Sequence, residues 1–279
     1  MKLLSITLAL FVLSSMAHAG EKNPFFAMDT IARGKPDKVV PMLRELGYAG
    51  LGGAPGDEAM AQALTAAGLR YFNGYHTITL DSARPALDEP MRKMIDAMPG
   101  AALWLAVGRV QREGAAFPNS SADGDGIAVA KLRELAAYAA SRGVKIALYP
   151  HVGSWLERVE DATRLAEKVN DPGVGVTFNL CHWLKVEGSA SDPAPVLRAA
   201  LPRLQFVTIN GADTGDTKTM SWERLIRPLG EGSYDVGAFL KTLRATGYEG
   251  PIGFQGYGIQ GDTREVLAKT MSAWQRLQP

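Results

Sequence analysis

The chain alternates between short continuous apolar runs and longer stretches in which apolar residues recur every three or four positions. The first pattern is typical of strands buried on both faces of a parallel sheet, and the second of amphipathic helices. The apolar runs predict eight strands, at residues 25–28, 49–52, 70–73, 102–107, 145–149, 174–178, 204–209 and 251–255. In one of the longer stretches, six apolar residues fall on one helical face: Leu156, Val159, Ala162, Leu165, Ala166 and Val169.

The boundaries between these segments carry the residues expected at helix ends. Glycines 47, 68, 143 and 247 each follow a predicted helix, where a left-handed glycine commonly ends it. Three pairs with an acidic residue are predicted to begin helices: Pro36-Asp37, Asp57-Glu58 and Asp262-Thr263. Eight strands that alternate with helices predict a (β/α)8 TIM barrel, which typically needs about 250 residues. An open doubly wound sheet is the alternative.

The N-terminus has the pattern of a secretory signal peptide. Lys2 precedes an apolar run over residues 3–16, and small residues follow up to Ala19. This pattern predicts cleavage after Ala19 and export to the periplasm or the medium. A membrane anchor is the alternative, but the run is too short to span a bilayer. The remaining residues, 20–279, are predicted to form a single barrel domain.

Charge content limits the kinds of partner that the sequence predicts, and cysteine content limits its disulfides. The chain has 30 lysines and arginines and 29 aspartates and glutamates, and loss of Lys2 with the signal peptide makes the two totals equal. This balance gives no basic surface for nucleic acid or for an anionic membrane. Cys181 is the single cysteine, so no intramolecular disulfide can form, and its apolar surroundings predict a buried thiol.

Two long connections, residues 108–125 and 211–231, both follow predicted strands. In a TIM barrel the segments after strands surround the active site, so both are predicted to shape access to it. Phosphate-binding loops, the nucleophile elbow of serine hydrolases, HExxH and paired CxxC motifs are missing from the sequence.

Polar side chains concentrate at the carboxyl ends of the predicted strands. In a TIM barrel these ends face one shared crevice, which holds the active site. The candidates there are His76, His151, Asn179, His182, Asn210 and Gln255.

The three histidines allow two functional interpretations and one structural one. Neutral imidazoles can bind a divalent metal, with His151 and His182 as the tentative ligands. Alternatively His151, His182 and His76 act as general acid and base, since imidazole titrates near neutral pH. The structural interpretation is that each is only hydrogen-bonded to its neighbours.

The remaining candidates suit a carbohydrate. The amides of Asn179, Asn210 and Gln255 both donate and accept hydrogen bonds, as sugar hydroxyls require. Four aromatic residues can offer flat apolar faces to a sugar ring or pack in the core: Tyr149, Tyr257, Trp155 and Trp183. Asp29 and Asp213 are the acids near the predicted crevice, and Asp213 has a loop-capping role as its alternative.

Five segments give a resemblance to a known family: ALYPH at 147–151, VGVTFNLCHW at 174–183, NGAD at 210–213, PLGEG at 228–232 and GYEGPIGFQ at 247–255. In this order they resemble the xylose isomerase-like barrel family, which includes sugar phosphate isomerases, epimerases and an apurinic endonuclease family. The resemblance implies a divalent metal held by two glutamates, an aspartate and a histidine.

At those four family positions the chain has Tyr149, Asn179, Thr208 and Gln255, and it matches only an additional family histidine, at His182. Loss of three carboxylates implies that the family's usual metal site is weak or absent, so a divalent metal stays an open possibility. Nuclease activity is not supported, because both the acidic metal cluster and a basic groove are missing.

Two functional hypotheses follow. The first is an exported enzyme that removes a proton next to a sugar carbonyl, with an isomerase, epimerase or lyase outcome. The segment FNLCHW at 178–183 resembles a group associated with breakdown of 3-keto-glycosides by elimination across carbons one and two. The second is a catalytically silent carbohydrate-binding relative. In both, the partner is a small carbohydrate without phosphate, because no basic cluster follows the strands.

Overall fold

The computed structural model describes residues 23–53, 57–108 and 117–278. The predicted signal peptide at 1–19 and residues 109–116 of the first long connection lie outside these ranges. Among the described helices, none has the length and apolar content needed to cross a bilayer.

The described chain folds into a closed barrel of eight parallel strands in sequential order, with β8 paired to β1. This confirms the predicted TIM barrel and rules out the open sheet. The strands are β1 Phe25–Met28, β2 Gly50–Gly53, β3 Arg70–Thr79, β4 Ala102–Gly108, β5 Lys145–Leu148, β6 Val174–Asn179, β7 Leu204–Ile209 and β8 Ile252–Phe254.

Helices surround the barrel and cover its outer face. They are α1 Pro36–Glu45, α2 Glu58–Ala66, α3 Glu89–Asp96, α4 Asp125–Ala140, α5 Val159–Val169, α6 Leu180–Glu187, α7 Ala194–Ala200, α8 Trp222–Leu225, α9 Val236–Ala245 and α10 Thr263–Arg276. The predicted starts of α1, α2 and α10 are correct, and Asp57 and Asp262 cap the latter two by accepting backbone N–H bonds. The predicted apolar face is buried against the barrel, although its first residue, Leu156, lies before the start of α5.

Strand β3 is longer than predicted. It runs to Thr79 because residues 73–79 pair continuously with β4, from Asn73 opposite Ala102 to Thr79 opposite Gly108. The polar residues and Gly74 in this stretch concealed the strand, since buried strands are recognised by their apolar content. As a result His76 lies within a strand and not beyond its end.

An aromatic layer fills the barrel interior. Phe26 stacks on Phe72 with ring centroids 4.4 Å apart, and Trp104 stacks on Tyr149 at 5.4 Å. A Cβ atom at Gly253 would lie 2.6 Å from the Phe26 ring, so glycine is needed there to admit it. This layer packs the barrel axis with aromatic side chains.

Candidate active site

A cavity of about 450 Å³ opens at the carboxyl ends of the strands, where TIM barrels keep their active sites. Residues in or after five strands, residues of α6 and residues of the connection after β7 contribute to its wall. They are Met28, Asp29, Thr30, Arg33, Gly53, Tyr75, Tyr149, His151, Cys181, His182, Trp222, Ile226, Gln255 and Tyr257.

Two of the predicted histidines lie side by side in this wall. The ring centroids of His151 and His182 are 4.1 Å apart. His151 follows β5, and His182 lies in the first turn of α6, which begins directly after β6. Tyr149 and Trp222 each present an edge to His182 at 5.7 Å, so this imidazole is only 7% exposed. The fold thus brings together two imidazoles that are 31 positions apart in the sequence.

Both imidazoles are held in the neutral form. Burial lowers the pKa of His182 well below its usual value, and repulsion from His151 lowers it further. Burial also lowers the pKa of His151, partly offset by the carbonyl of Val152 and the carboxylate of Glu157. The Nδ1 of His151 lies 2.8 Å from the Val152 carbonyl oxygen. A carbonyl only accepts, so Nδ1 carries the proton and Nε2 is free to accept one.

His76 does not join this pair. It lies outside the cavity wall and is half-buried. Burial lowers its pKa, against the opposing effect of the Asp88 carboxylate ahead of α3. Its neighbour Tyr75 faces the cavity, and consecutive side chains of a strand point to opposite faces. The predicted convergence of three imidazoles is therefore a convergence of two.

Two of the predicted amides are used within the protein. Asn179 donates to Thr177 Oγ1 at 3.0 Å and to the Pro150 carbonyl at 3.3 Å, and it accepts from Thr208 Oγ1 at 3.0 Å. Asn210 is fully buried and donates to the carbonyls of Gly211 and Leu225, at 2.8 and 2.6 Å. Neither side chain lines the cavity that holds the imidazoles.

The predicted aromatic contacts divide in the same way. Tyr149 lines the cavity, and Tyr257 stands at its rim with 56% of its surface exposed. Trp183 instead packs on Phe178 in the core, and Trp155 is buried and donates to the carbonyl of Ser121. These two tryptophans therefore serve packing.

Gln255 is the predicted amide that does reach the cavity. Its Oε1 accepts the backbone N–H of Tyr257 at 3.1 Å, and its side chain also hydrogen-bonds the hydroxyl of Tyr149. This bond lowers the pKa of Tyr149, as a hydrogen bond donated to a phenol oxygen does, so the amide Nε2 is the donor. The phenol hydrogen is then free to point at a ligand. Burial raises the pKa of Tyr149 well above its usual value, so this donor stays protonated.

Residues at the family's four metal-ligand positions form hydrogen bonds with one another or with nearby backbone. Tyr149 is paired with Gln255, and Asn179 is paired with Thr208. All four side chains are neutral, whereas hard divalent ions require carboxylate oxygens to offset their charge. Across residues 23–53, 57–108 and 117–278, no three His, Cys, Asp or Glu side chains cluster as metal ligands would. This donor set does not fit the metal that the family resemblance implies.

The two predicted acids behave differently. Asp213 forms ion pairs with Arg224 at 2.9 Å and Arg227 at 3.1 Å, and the hydrogen bond from Arg224 lowers its pKa. It therefore anchors the connection after β7. Asp29 lines the cavity, and burial raises its pKa against the opposing effects of Arg33 and backbone N–H groups.

Sequence reasoning missed several wall residues. Trp222 and Ile226 belong to the connection after β7, which was predicted to shape access, but no periodicity marks them as facing inward. Tyr75 was missed because β3 was predicted to end before it. Cys181 is buried as predicted, and burial raises the pKa of its thiol to about 12, which keeps it protonated.

The family model of the xylose isomerase-like TIM barrel matches residues 34–277. The chain belongs to this family. A 3-dehydroshikimate dehydratase from Pseudomonas putida strain KT2440 is 26% identical to this xylose isomerase-like barrel over 188 residues. The match covers 66% of the chain but only 28% of the dehydratase, so the chain spans less than a third of that protein.

Solved structures of low sequence identity share the fold. The IolI protein, crystallised with a zinc atom, superposes with a TM-score of 0.72 at 14% identity, covering 91% of this chain and 97% of that one. The 3-keto-D-glucoside 4-epimerase from E. coli, in its apo form, gives a TM-score of 0.68 at 18% identity, covering 91% and 99%. Among these proteins, the Pseudomonas putida relative is a dehydratase and the E. coli structure is an epimerase.

Proposed function

We propose that this protein is an exported carbohydrate-active enzyme that removes a proton next to a sugar carbonyl, and that its reaction is 1,2-elimination of a 3-keto-glycoside. The observation that carries this proposal is the pair of neutral imidazoles, 4.1 Å apart, in the wall of the cavity. The names of the relatives support it. A dehydratase and an epimerase each begin by breaking a bond to hydrogen on a carbon, and one of them is named for a 3-keto-glucoside.

The base is an imidazole. A ketone at carbon three acidifies the hydrogen on carbon two, so a base of moderate strength suffices. His151 has Nε2 free to accept that proton, because its Nδ1 donates to the Val152 carbonyl. His182 lies against it and stabilises the orientation of the ring. The lowered pKa of each imidazole keeps the pair unprotonated and ready at neutral pH.

Tyr149 is the group that can donate a hydrogen bond to the enolate oxygen as negative charge develops on it. Its hydroxyl receives a hydrogen bond from Gln255 and has its own hydrogen available to donate into the cavity. A neutral donor held by the fold stabilises charge that develops on an oxygen without reorganising. Tyr257 and Trp222, at the rim and in the wall, offer apolar ring faces to the sugar.

Solvent deuterium exchange tests the proton abstraction. The mature protein, residues 20–279, is incubated with methyl 3-keto-β-D-glucopyranoside in D2O, and deuterium at carbon two is followed by NMR. We expect His151→Ala to slow exchange by about 100-fold or more, the usual contribution of a general base, and His182→Ala to slow it as well, because the ring of His151 loses its neighbour. His76→Ala is the matched control and keeps the wild-type rate, because His76 lies outside the cavity wall.

Two results contradict this function. Exchange that persists in both His151→Ala and His182→Ala refutes the roles of the imidazoles. Calorimetry that shows the keto-glycoside bound with neither exchange nor turnover selects the silent carbohydrate-binding alternative, for which the absent family carboxylates at Tyr149, Asn179 and Gln255 argue.

Export is part of the proposal. It rests on the sequence pattern of residues 1–19 and predicts a mature protein that begins at Gly20. N-terminal sequencing of protein recovered from the periplasm or the medium of an expressing bacterium should read Gly20-Glu21-Lys22. A cell-associated protein that still begins at Met1 contradicts export.

A further inference from the structure

Asp29 and the imidazole pair approach the cavity from opposite walls. Asp29 follows β1, whereas His151 follows β5 and His182 follows β6. In a closed barrel of eight strands in sequential order, β1 and β5 are diametrically opposed. All three side chains line the same cavity, so a sugar ring bound there lies between a carboxyl group and two imidazoles.

The fold leaves space for the Asp29 carboxyl group at the end of β2. A Cβ atom at Gly53 would lie 2.3 Å from Asp29 Oδ1, which is a severe clash, so glycine is needed beside the carboxyl. Gly53 has φ of +93°, a conformation that favours glycine. Arg33, also in the cavity wall, donates from Nε to the backbone carbonyl of Asp29 at 3.2 Å and thus stabilises the segment.

The setting of Asp29 differs from that of the other acid near the mouth. Asp213 is held by two arginines, which favour its carboxylate form. Asp29 is partly buried in the cavity wall, and this burial raises its pKa and outweighs the opposing effects of Arg33 and of backbone N–H groups. A raised pKa brings a carboxyl group closer to the pH at which it can donate a proton to bound substrate, as a general acid must.

We infer that Asp29 is the catalytic acid that protonates the leaving group, on the side of the sugar opposite the imidazole base. This inference rests on the proposed function. It gives an elimination in which the base and the acid act from opposite sides of the sugar. His151 takes the proton from carbon two, and the electrons of that C–H bond form the enolate of the carbon-three ketone. The enolate then forms the double bond between carbons one and two while the bond from carbon one to the glycosidic oxygen breaks.

The proton of Asp29 moves to the departing oxygen, so the products are an alcohol and an unsaturated 3-keto sugar. The Asp29 carboxylate and the His151 imidazolium then return to their starting forms by exchange of one proton through solvent. Atoms and charge balance, and no oxidant or reductant is needed.

Leaving-group dependence tests the role of Asp29. Cleavage of methyl and p-nitrophenyl 3-keto-β-D-glucopyranosides is compared for wild type and Asp29→Asn, with C2 deuterium exchange measured in parallel. Methanol is a poor leaving group and needs the acid, so we expect its release to fall by about 100-fold. Release of p-nitrophenol, which leaves without protonation, falls far less. Exchange at carbon two continues, because the base is intact.

Two further variants control for folding and for charge. Asp29→Glu keeps a carboxyl group and recovers part of the methyl glycoside cleavage, at an unchanged melting temperature. Asp216→Asn removes an exposed carboxylate in the connection after β7 that accepts a hydrogen bond from Thr219, and it leaves both cleavage rates unchanged.

The opposing results are distinct. Equal loss for both glycosides, no loss for either, or loss of exchange together with cleavage in Asp29→Asn overturns the acid role while the imidazole function stands. A wild-type protein that neither exchanges nor cleaves the probes refutes the proposed function itself and this inference with it.

Discussion

At the scale of single residues, the decisive feature is a pair of imidazoles that the fold forces to remain neutral. The base form of an imidazole is the unprotonated one, so a lower pKa preserves it to a lower pH. Burial and the proximity of His151 both act in this direction on His182. The same burial works against the folded state in acid, because the unfolded chain then binds the protons that the folded chain excludes.

The titration of His182 gives a direct prediction. We expect its imidazole to titrate below pH 6.5 in the folded protein, followed by NMR of the ring protons, and stability to decline as the pH falls below 6.5. In His151→Asn the like-charge neighbour is gone, so the pKa of His182 rises toward its ordinary value. A pKa of 6.5 or higher for His182 in the wild type contradicts the arrangement described.

Sequence reasoning at this scale located residues but not their orientation. His151, His182 and Gln255 were predicted from their places at strand ends, and they do line the cavity. Asn179 has a similar place, but it turns toward Thr208 on the adjacent strand, and no local pattern encodes that partner. Orientation depends on which neighbouring strand supplies a hydrogen-bonding group, and this is a property of the assembled barrel.

At the scale of elements, the glycine content of the short strand β2 is explained by the side chains that pack beside it. Its residues are Gly50–Gly53, and three of the four are glycines. In the folded chain Gly53 admits the Asp29 carboxyl group. Helix α8 is the second example, because this short helix places Trp222 against His182 and could not be predicted from periodicity over so few residues.

Gly53→Ala and Gly68→Ala form a matched pair that separates strain from contact. Both glycines have positive φ, +93° and +74°, so each substitution costs about 1 kcal/mol or more in backbone strain. A Cβ atom at Gly68 meets nothing within 4 Å, whereas one at Gly53 strikes Asp29. We expect a larger loss of melting temperature in Gly53→Ala than in Gly68→Ala, and a loss of methyl glycoside cleavage in Gly53→Ala alone. Full cleavage by Gly53→Ala contradicts the required position of Asp29.

At the scale of the whole molecule, the barrel was predictable because eight strand and helix units repeat with clear helix starts and stops. Its site was only partly predictable. The sequence indicates that the family's carboxylates are absent, and the structure shows that their replacements hydrogen-bond one another or nearby backbone, as in the pair of Asn179 and Thr208. The central claim is that the neutral imidazole pair removes the proton from carbon two without a divalent metal.

Deuterium exchange by metal-stripped protein tests that claim most directly. Mature protein purified without a metal-affinity tag is dialysed against a chelator, its metal content is measured by elemental analysis, and C2 exchange of methyl 3-keto-β-D-glucopyranoside is followed in D2O. We expect substoichiometric metal and an exchange rate equal to that before chelation. Exchange that disappears on chelation and returns when one equivalent of a divalent ion is added contradicts it.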